Sequence, residues 1–301
     1  MSKKPKIIVV LGPTSSGKSE AAIRLARKFY GEIVSADSRQ IYRGMDIGSG
    51  KVTKKEQQMA KHWMLDIISP KTNFSAGQYK KKAMRIVDDI LKRGKLPIIC
   101  GGTGFWIKAV VDNVDFPEVK PNWKLRKNLS LKSAEELFKE LKKLDPGRAA
   151  NIDAKNKVRL VRAIEIVKAL GKVPPLSPQS TADSSRYEAL QIGIEMPKEI
   201  LHGRIKKRLE KRFAAGMIDE VASLHAQGVG WKRLESFGLE YRWISLYLQE
   251  KVSETEMKEK LFRESKDYAK RQMTWFRKDK RIIWLEKYSD IEKQAEKFIN
   301  K

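Results

Sequence analysis

Short apolar runs alternate with stretches whose apolar residues recur every three or four positions through the first hundred residues of the chain. Lys6-Ile7-Ile8-Val9-Val10-Leu11 is rich in β-branched residues and predicts a strand. Ala22, Ile23, Ala26 and Phe29 lie at helical spacing and predict a helix over Ser19 to Phe29. Gly31-Glu32-Ile33-Val34-Ser35 predicts a second strand, and His62 to Ile67 a short third one. Ser75 then caps a helix whose apolar face is Tyr79, Ala83, Ile86, Val87, Ile90 and Leu91, with Gly94 as its stop. Leu96-Pro97-Ile98-Ile99-Cys100 predicts another strand. Strands that are continuously apolar, interleaved with amphipathic helices, imply a parallel sheet covered on both faces.

From about Asp115 the pattern changes. No strand candidate appears between Lys120 and Lys172. Ser133-x-x-Glu136 is a capping box ahead of Leu137, Phe138, Leu141 and Leu144. A second helix is expected from about Asn156 to Leu170, stopped by Gly171. A Pro/Ser-rich stretch, Pro174 to Ser185, carries the chain back to a strand at Tyr187 to Met196, where Leu190, Ile192 and Ile194 alternate. Pro197 opens a helix, and the remainder reads as helical, including the last ten residues, apart from a short strand at Ile282-Ile283-Trp284-Leu285. The expected architecture is α/β: a parallel sheet flanked by helices, formed by residues 1–115 and 187–301, with a small helical insertion domain at residues 116–186.

Charge sharpens this picture. Lys and Arg number 63 against 37 Asp and Glu, a net +26 over 301 residues. Such a field attracts a polyphosphate chain from a distance and exceeds what a small-metabolite enzyme requires. The excess is not spread evenly: Lys120 to Lys172 holds 15 basic and 6 acidic residues. Six of the nine residues Arg204 to Arg212 are basic. In Lys266 to Arg277, basic residues interleave with Tyr268, Trp275 and Phe276, a composition that stacks bases and holds nucleic-acid backbones. The single cysteine, Cys100, sits in an apolar run, which excludes a disulfide framework and suits a small buried residue in a reducing cytoplasm. No apolar run approaches the length of a bilayer span and no signal peptide opens the chain, so a soluble protein without a membrane anchor is expected.

The candidate chemistry begins between the first strand and the first helix. Gly12-Pro13-Thr14-Ser15-Ser16-Gly17-Lys18-Ser19 matches G-x-x-x-x-G-K-[ST], in the strand–loop–helix setting the motif requires. Its backbone N–H groups and the helix N-terminus cradle phosphate oxygens, Lys18 adds a point charge, and Ser19 offers a hydroxyl to Mg²⁺. This loop holds a diphosphate or triphosphate; the motif leaves open whether phosphate is transferred or departs. Asp37 follows the second strand, where a carboxylate can hold Mg²⁺, accept a proton, or cap the next turn. Thr103, in Gly101-Gly102-Thr103-Gly104, follows another strand and can bond a phosphate or a base. Ligands bind beyond the carboxyl ends of such strands, so the three loops should meet at one cleft. His62, His202 and His225 show no metal-ligand spacing.

These motifs, together with Ser35-x-Asp37-Ser38-x-Gln40-Ile41-Tyr42-x-Gly44-Met45-Asp46-Ile47-Gly48 and Lys270-Arg271-Gln272-x-Thr274-Trp275, resemble the bacterial tRNA dimethylallyltransferases over nearly the whole chain. The resemblance implies a P-loop NTPase-like core and a helical insertion that grips the tRNA anticodon stem-loop. It also implies transfer of a dimethylallyl group from dimethylallyl diphosphate to N6 of the adenosine 3′ of the anticodon, with Mg²⁺ as cofactor. On this pattern the loop Gly12–Ser19 holds the diphosphate, with Lys18 and Arg208 stabilising its departure and Ser19 on the metal. Asp37 takes the N6 proton and Thr103 helps orient the amine. Contacts to tRNA fall on Asp37, Ser38, Arg39, Gln40, Thr103, Lys270, Arg271 and Gln272, and on Lys124, Val158, Arg159 and Arg162 of the insertion. A cytoplasmic monomer is expected. The segment Phe237-Gly238-Leu239-Glu240-Tyr241-Arg242 departs from the family's Gly-Tyr-Arg/Lys-type pattern, and one cysteine cannot build the zinc finger of eukaryotic members. An ATP-dependent kinase of a nucleotide or small molecule accounts for the phosphate loop but not for the charge; an RNA-binding NTPase accounts for the charge, with Asp66 only a weak candidate for its hydrolytic acid.

Overall fold

The computed structural model describes residues 4–174 and 185–301. Most of the Pro/Ser-rich stretch from Pro174 to Ser185 therefore lies outside the described residues. Two compact units result, one of residues 1–113 and 182–301 and one of residues 114–181.

In the larger unit β1 (Lys6–Leu11) leads through the phosphate loop into α1 (Lys18–Lys28), followed by β2 (Gly31–Ser35). A short α2 (Lys54–Met59) is fixed by a capping box between Thr53 and Glu56 that the apolar pattern alone does not announce. Next come β3 (His62–Trp63), α3 (Ala76–Lys92), β4 (Leu96–Gly101) and α4 (Gly104–Val111). The third strand is shorter than His62 to Ile67. Met64 at φ 64° and Asp66 at φ 54° adopt left-handed backbone, which cannot continue an extended ladder.

The smaller unit is helical: α5 (Trp123–Ser130), α6 (Ala134–Leu144), α7 (Pro146–Ala149) and α8 (Lys157–Leu170). Its core gathers Leu129, Leu137, Leu141, Leu160 and Ile164. Buried Glu165 ties it together, accepting from Asn122 N–H and pairing with Arg126 and Arg162. Those three donors hold its carboxyl down to about 2 against the penalty of burial.

The larger unit resumes with β5 (Glu188–Ile194), α9 (Lys198–Ala214), α10 (Met217–Ala226), α11 (Trp231–Ser236), α12 (Leu239–Leu248), α13 (Glu254–Phe276), β6 (Ile283–Leu285) and α14 (Tyr288–Ile299). Among the described residues the sheet has six parallel strands in the order β3-β2-β4-β1-β5-β6. The continuous apolar runs serve two cores. Ile7, Val9 and Leu11 of β1 face a large cluster with α3, α4 and the helices from α9 to α13, while Ile8 and Val10 face α1 and α14. β2, β4 and β1 are neighbours, so the loops after them emerge side by side at the carboxyl edge. Close approach there demands glycine: a Cβ on Gly101 would lie 2.2 Å from Ala36 O.

Candidate functional site

The phosphate loop turns sharply out of β1 at Gly12, whose φ of +153° and near contact with Ser16 Oγ leave no room for a side chain. Gly17, at φ 93°, starts α1. Within the loop Lys18 Nζ donates to Pro13 O at 3.1 Å. The loop is clamped from afar by Gln272 of α13. Thr14 N–H donates to Gln272 Oε1 at 2.9 Å, and Gln272 Nε2 donates to Gly102 O at 2.9 Å. One buried amide thus joins the loops after β1 and β4. The loops after β2 and β4 are joined by Thr103: its N–H donates to Ala36 O, and its Oγ1 accepts from Ser38 N–H at 3.1 Å.

The three loops converge on one cavity of about 300 Å³, bordered by Thr14, Ser15, Lys18, Ser19, Asp37 and Gly101. Ser38, Arg39, Gln40, Arg271 and Gln272 also border it, as does Arg208 from α9. Arg208 Nη1 donates to Thr14 Oγ1 at 3.0 Å and lies 3.5 Å from Ser15 Oγ. Gly12, Pro13, Ser16 and Gly17 build the loop behind this surface, Thr103 acts through Ser38, and Lys270 lies exposed beside Arg271 on α13. In the smaller unit, taken alone, Lys124 and Arg159 are exposed near the starts of α5 and α8, beside Trp123 and Val158, which are 62% and 80% exposed. The Arg162 guanidinium is engaged by Glu165 and by Val119 O.

The cavity has a second wall that the sequence motifs marked only in part. Arg212, one turn beyond Arg208, is buried; its Nη1 donates to Gly48 O at 3.3 Å and to Glu240 Oε1 at 2.8 Å, while its Nη2 has no hydrogen-bond partner among the described residues. The i, i+4 spacing of Arg208 and Arg212 was the signal that could have found it. Gly48 to Gly50, His62, Phe237 to Arg242, Ser265 and Tyr268 also line the cavity. The segment that departs from the family pattern is therefore part of the site.

Lys18, Arg208 and Arg212 place three cations around one cavity. Burial, chiefly, pushes the Lys18 ammonium down from its usual value, and the neighbouring Arg208 charge adds to this. Burial and then the Arg212 charge bring Arg208 down to about 10. Both shifts report positive charge held without enough counter-charge, the condition in which a multivalent anion binds strongly. Asp37 faces this cluster. Its Oδ1 accepts from Arg39 N–H at 2.8 Å and from Gln40 N–H at 3.4 Å, which fixes the carboxylate; Oδ2 has no hydrogen bond among the described residues. Tyr268, raised to about 12 mainly by burial, remains a neutral phenol beside it. Cys100, pushed up to about 12 by burial, is a thiol in the core rather than a nucleophile.

Among the described residues no cluster of three or more His, Cys, Asp or Glu could hold a metal ion. A cation at this site would rest on one or two protein oxygens, those of Ser19 and Asp37, and on phosphate oxygens. That hard, oxygen-only and incomplete donor set fits Mg²⁺. No described helix is long and apolar enough to cross a membrane.

A sequence model described as IPP transferase matches residues 40–279. The tRNA dimethylallyltransferase 1 of Syntrophus aciditrophicus is 42% identical over 288 residues, covering 93% of each chain. The crystal structure of tRNA delta(2)-isopentenylpyrophosphate transferase from Staphylococcus epidermidis superposes with a TM-score of 0.73 at 35% identity, covering 99% of both chains. That of tRNA isopentenylpyrophosphate transferase from Bacillus halodurans gives 0.74 at 31% identity, covering 99% of this chain and 96% of the other.

Proposed function

Because the chain belongs to the IPP transferase family, we propose that it transfers a dimethylallyl group from dimethylallyl diphosphate to N6 of the adenosine 3′ of the anticodon in tRNA, acting as a cytoplasmic monomer. The observation that carries this reading is the juxtaposition of Lys18, Arg208 and Arg212 with the Asp37 carboxylate around one cavity.

In the reaction N6 of adenine forms a bond to C1 of the dimethylallyl group as the C1–O bond breaks, and the electron pair leaves with diphosphate. Negative charge grows on the departing oxygens, and pre-placed cations are the most effective catalysts of such a step. Lys18, Arg208, Arg212 and the phosphate-loop N–H groups do this work. Ser19 Oγ would hold Mg²⁺ together with phosphate oxygens, and the ion would supply further positive charge to the leaving group. The exocyclic amine is a poor nucleophile that becomes acidic as it bonds to carbon, so Asp37, oriented by the Arg39 and Gln40 N–H groups, takes the N6 proton. An adenine stacked in a loop cannot reach this cavity and must be flipped out. Ser38 and Gln40 border its place, with Gln40 Nε2 already engaged by Gly50 O and its Oε1 left to accept. The net charge of +26 and the basic helical unit support tRNA as the acceptor, gripped through Lys124, Val158, Arg159 and Arg162.

The test pairs two incubations of the purified protein: with unmodified tRNA and dimethylallyl diphosphate, and with ATP alone. Mass analysis of the tRNA nucleosides should show one adenosine heavier by a dimethylallyl group. ATP turnover without modified nucleoside would favour a kinase or NTPase instead.

A further inference from the structure

Behind the second wall of the cavity stands a carboxylate that does not itself line the cavity. Glu220, on α10, accepts from three successive backbone N–H groups of the loop after β2: Asp46 at 2.8 Å, Ile47 at 2.6 Å and Gly48 at 3.0 Å. Tyr241 Oη adds a fourth donor at 2.8 Å. Successive N–H groups converging on one point form an anion-binding nest, here filled by the protein's own side chain. The loop closes on itself as well, through Gly50 N–H to Ile47 O and Lys51 N–H to Asp46 O.

The other side of this loop meets the arginines. Gly48 O accepts from Arg212, and Gly50, at φ +59°, approaches so closely that a Cβ there would lie 1.5 Å from Arg212 Nη2 and 2.5 Å from Arg208 Nη2. Gly50 O also receives Gln40 Nε2. The loop therefore sets where both guanidinium forks point, and Arg212 Nη2 is buried with no hydrogen-bond partner among the described residues. We infer that Glu220 is a positioning residue: by anchoring Asp46, Ile47 and Gly48 it aims Arg208 and Arg212 at the anionic leaving group of the donor. This rests on the reading of the cavity as the diphosphate site. Displacement of a positioned group by about 1 Å costs on the order of 100-fold in rate or affinity. Losing the anchor should show as weaker donor binding.

The experiment titrates inorganic diphosphate with Mg²⁺ into the full chain by calorimetry and measures kcat/KM for dimethylallyl diphosphate. Glu220→Gln, which turns one acceptor oxygen into a donor facing backbone N–H groups, should raise Kd for diphosphate and lower kcat/KM by about 10–100-fold, since both guanidinium groups hold the bound diphosphate and its departing charge. Glu220→Asp, which keeps the charge but falls short of the nest, should move each the same way and serves if Glu220→Gln does not fold. Ile291→Ala, in the core on the α1 side of the sheet, is the control for general destabilisation: its melting temperature should fall while Kd stays at the wild-type value. Equal weakening in Ile291→Ala, a wild-type Kd in the Glu220 variants, or failure of both Glu220 variants to fold would overturn the inference. A wild-type protein that does not bind diphosphate would instead overturn the reading of the cavity, and this inference with it.

Discussion

Arg208→Gln separates what the cation cluster does for the fold from what it does for the reaction, because the two effects have opposite signs. In the ligand-free protein Arg208 is charged although its surroundings lower its pKa from 12.5 to about 10, burial first and Arg212 second. At neutral pH that corresponds to about 3 kcal/mol of unfavourable free energy in the folded state, at roughly 1.4 kcal/mol per pKa unit. The substitution removes it. Against this, the hydrogen bond from Nη1 to Thr14 Oγ1 disappears, a loss of about 1.5–3 kcal/mol for a charged donor. Stability without ligand should therefore stay level or rise by about 1 kcal/mol. With diphosphate bound the sign reverses. A hydrogen bond from a charged donor contributes about 1.5–3 kcal/mol, so kcat/KM should fall roughly 10- to 150-fold. Urea titrations with and without diphosphate measure the first effect, and single-turnover transfer measures the second. A ligand-free protein destabilised by more than about 1 kcal/mol would refute the argument that burial and the Arg212 charge strain Arg208. A kcat/KM within about 3-fold of wild type would remove Arg208 from the leaving group.

Asp37→Asn should lower the chemical step by about 10²–10⁴-fold at every Mg²⁺ concentration, while diphosphate affinity changes little; rescue by added Mg²⁺ in single-turnover assays would make Asp37 a metal ligand instead. Lys206 and Lys207 are exposed on α9, and replacing both with Gln should make the slope of log affinity for tRNA against log salt shallower by up to about 2, an unchanged slope in filter binding excluding them from the tRNA contact. Glu32, buried and paired with Arg93 and Lys95, is held well below the carboxylate range chiefly by its Arg93 hydrogen bond. The stability it contributes is present above its ordinary pKa of 4.5 and lost as acidification carries the pH towards the depressed folded value. Glu32→Gln should cost about 3 kcal/mol at neutral pH, and less in urea titrations below pH 4; equal losses at both would refute the linkage.

What could be read along the chain was whatever neighbours in sequence decide. β1, the Gly12–Ser19 loop and α1 were legible because strand, glycine turn and helix start lie within about two dozen residues and each obeys its own local rule. The third strand was misjudged by four residues because nothing in Met64-Leu65-Asp66 advertises left-handed backbone; that conformation is held by tertiary contacts such as Asp66 N–H to Gln40 O. The site divides along the same line. The wall made by the loops after β1, β2 and β4 was placed correctly at one cleft, since strand ends in a parallel sheet share an edge. The opposite wall is built by bonds of great sequence separation: Arg208 reaches Thr14 across 194 residues, Gln272 reaches Thr14 across 258, and Glu220 reaches Ile47 across 173. A basic run on α9 does not announce which two of its six cations point inward. That choice follows from which turns of α9 face the phosphate loop, and only the packed structure supplies it. The phosphate loop alone specifies an anion, as it does on many unrelated proteins. Bringing Arg208, Arg212 and Asp37 around the same cavity is what turns an anion site into one suited to a departing diphosphate and an attacking amine, and that step belongs to tertiary structure.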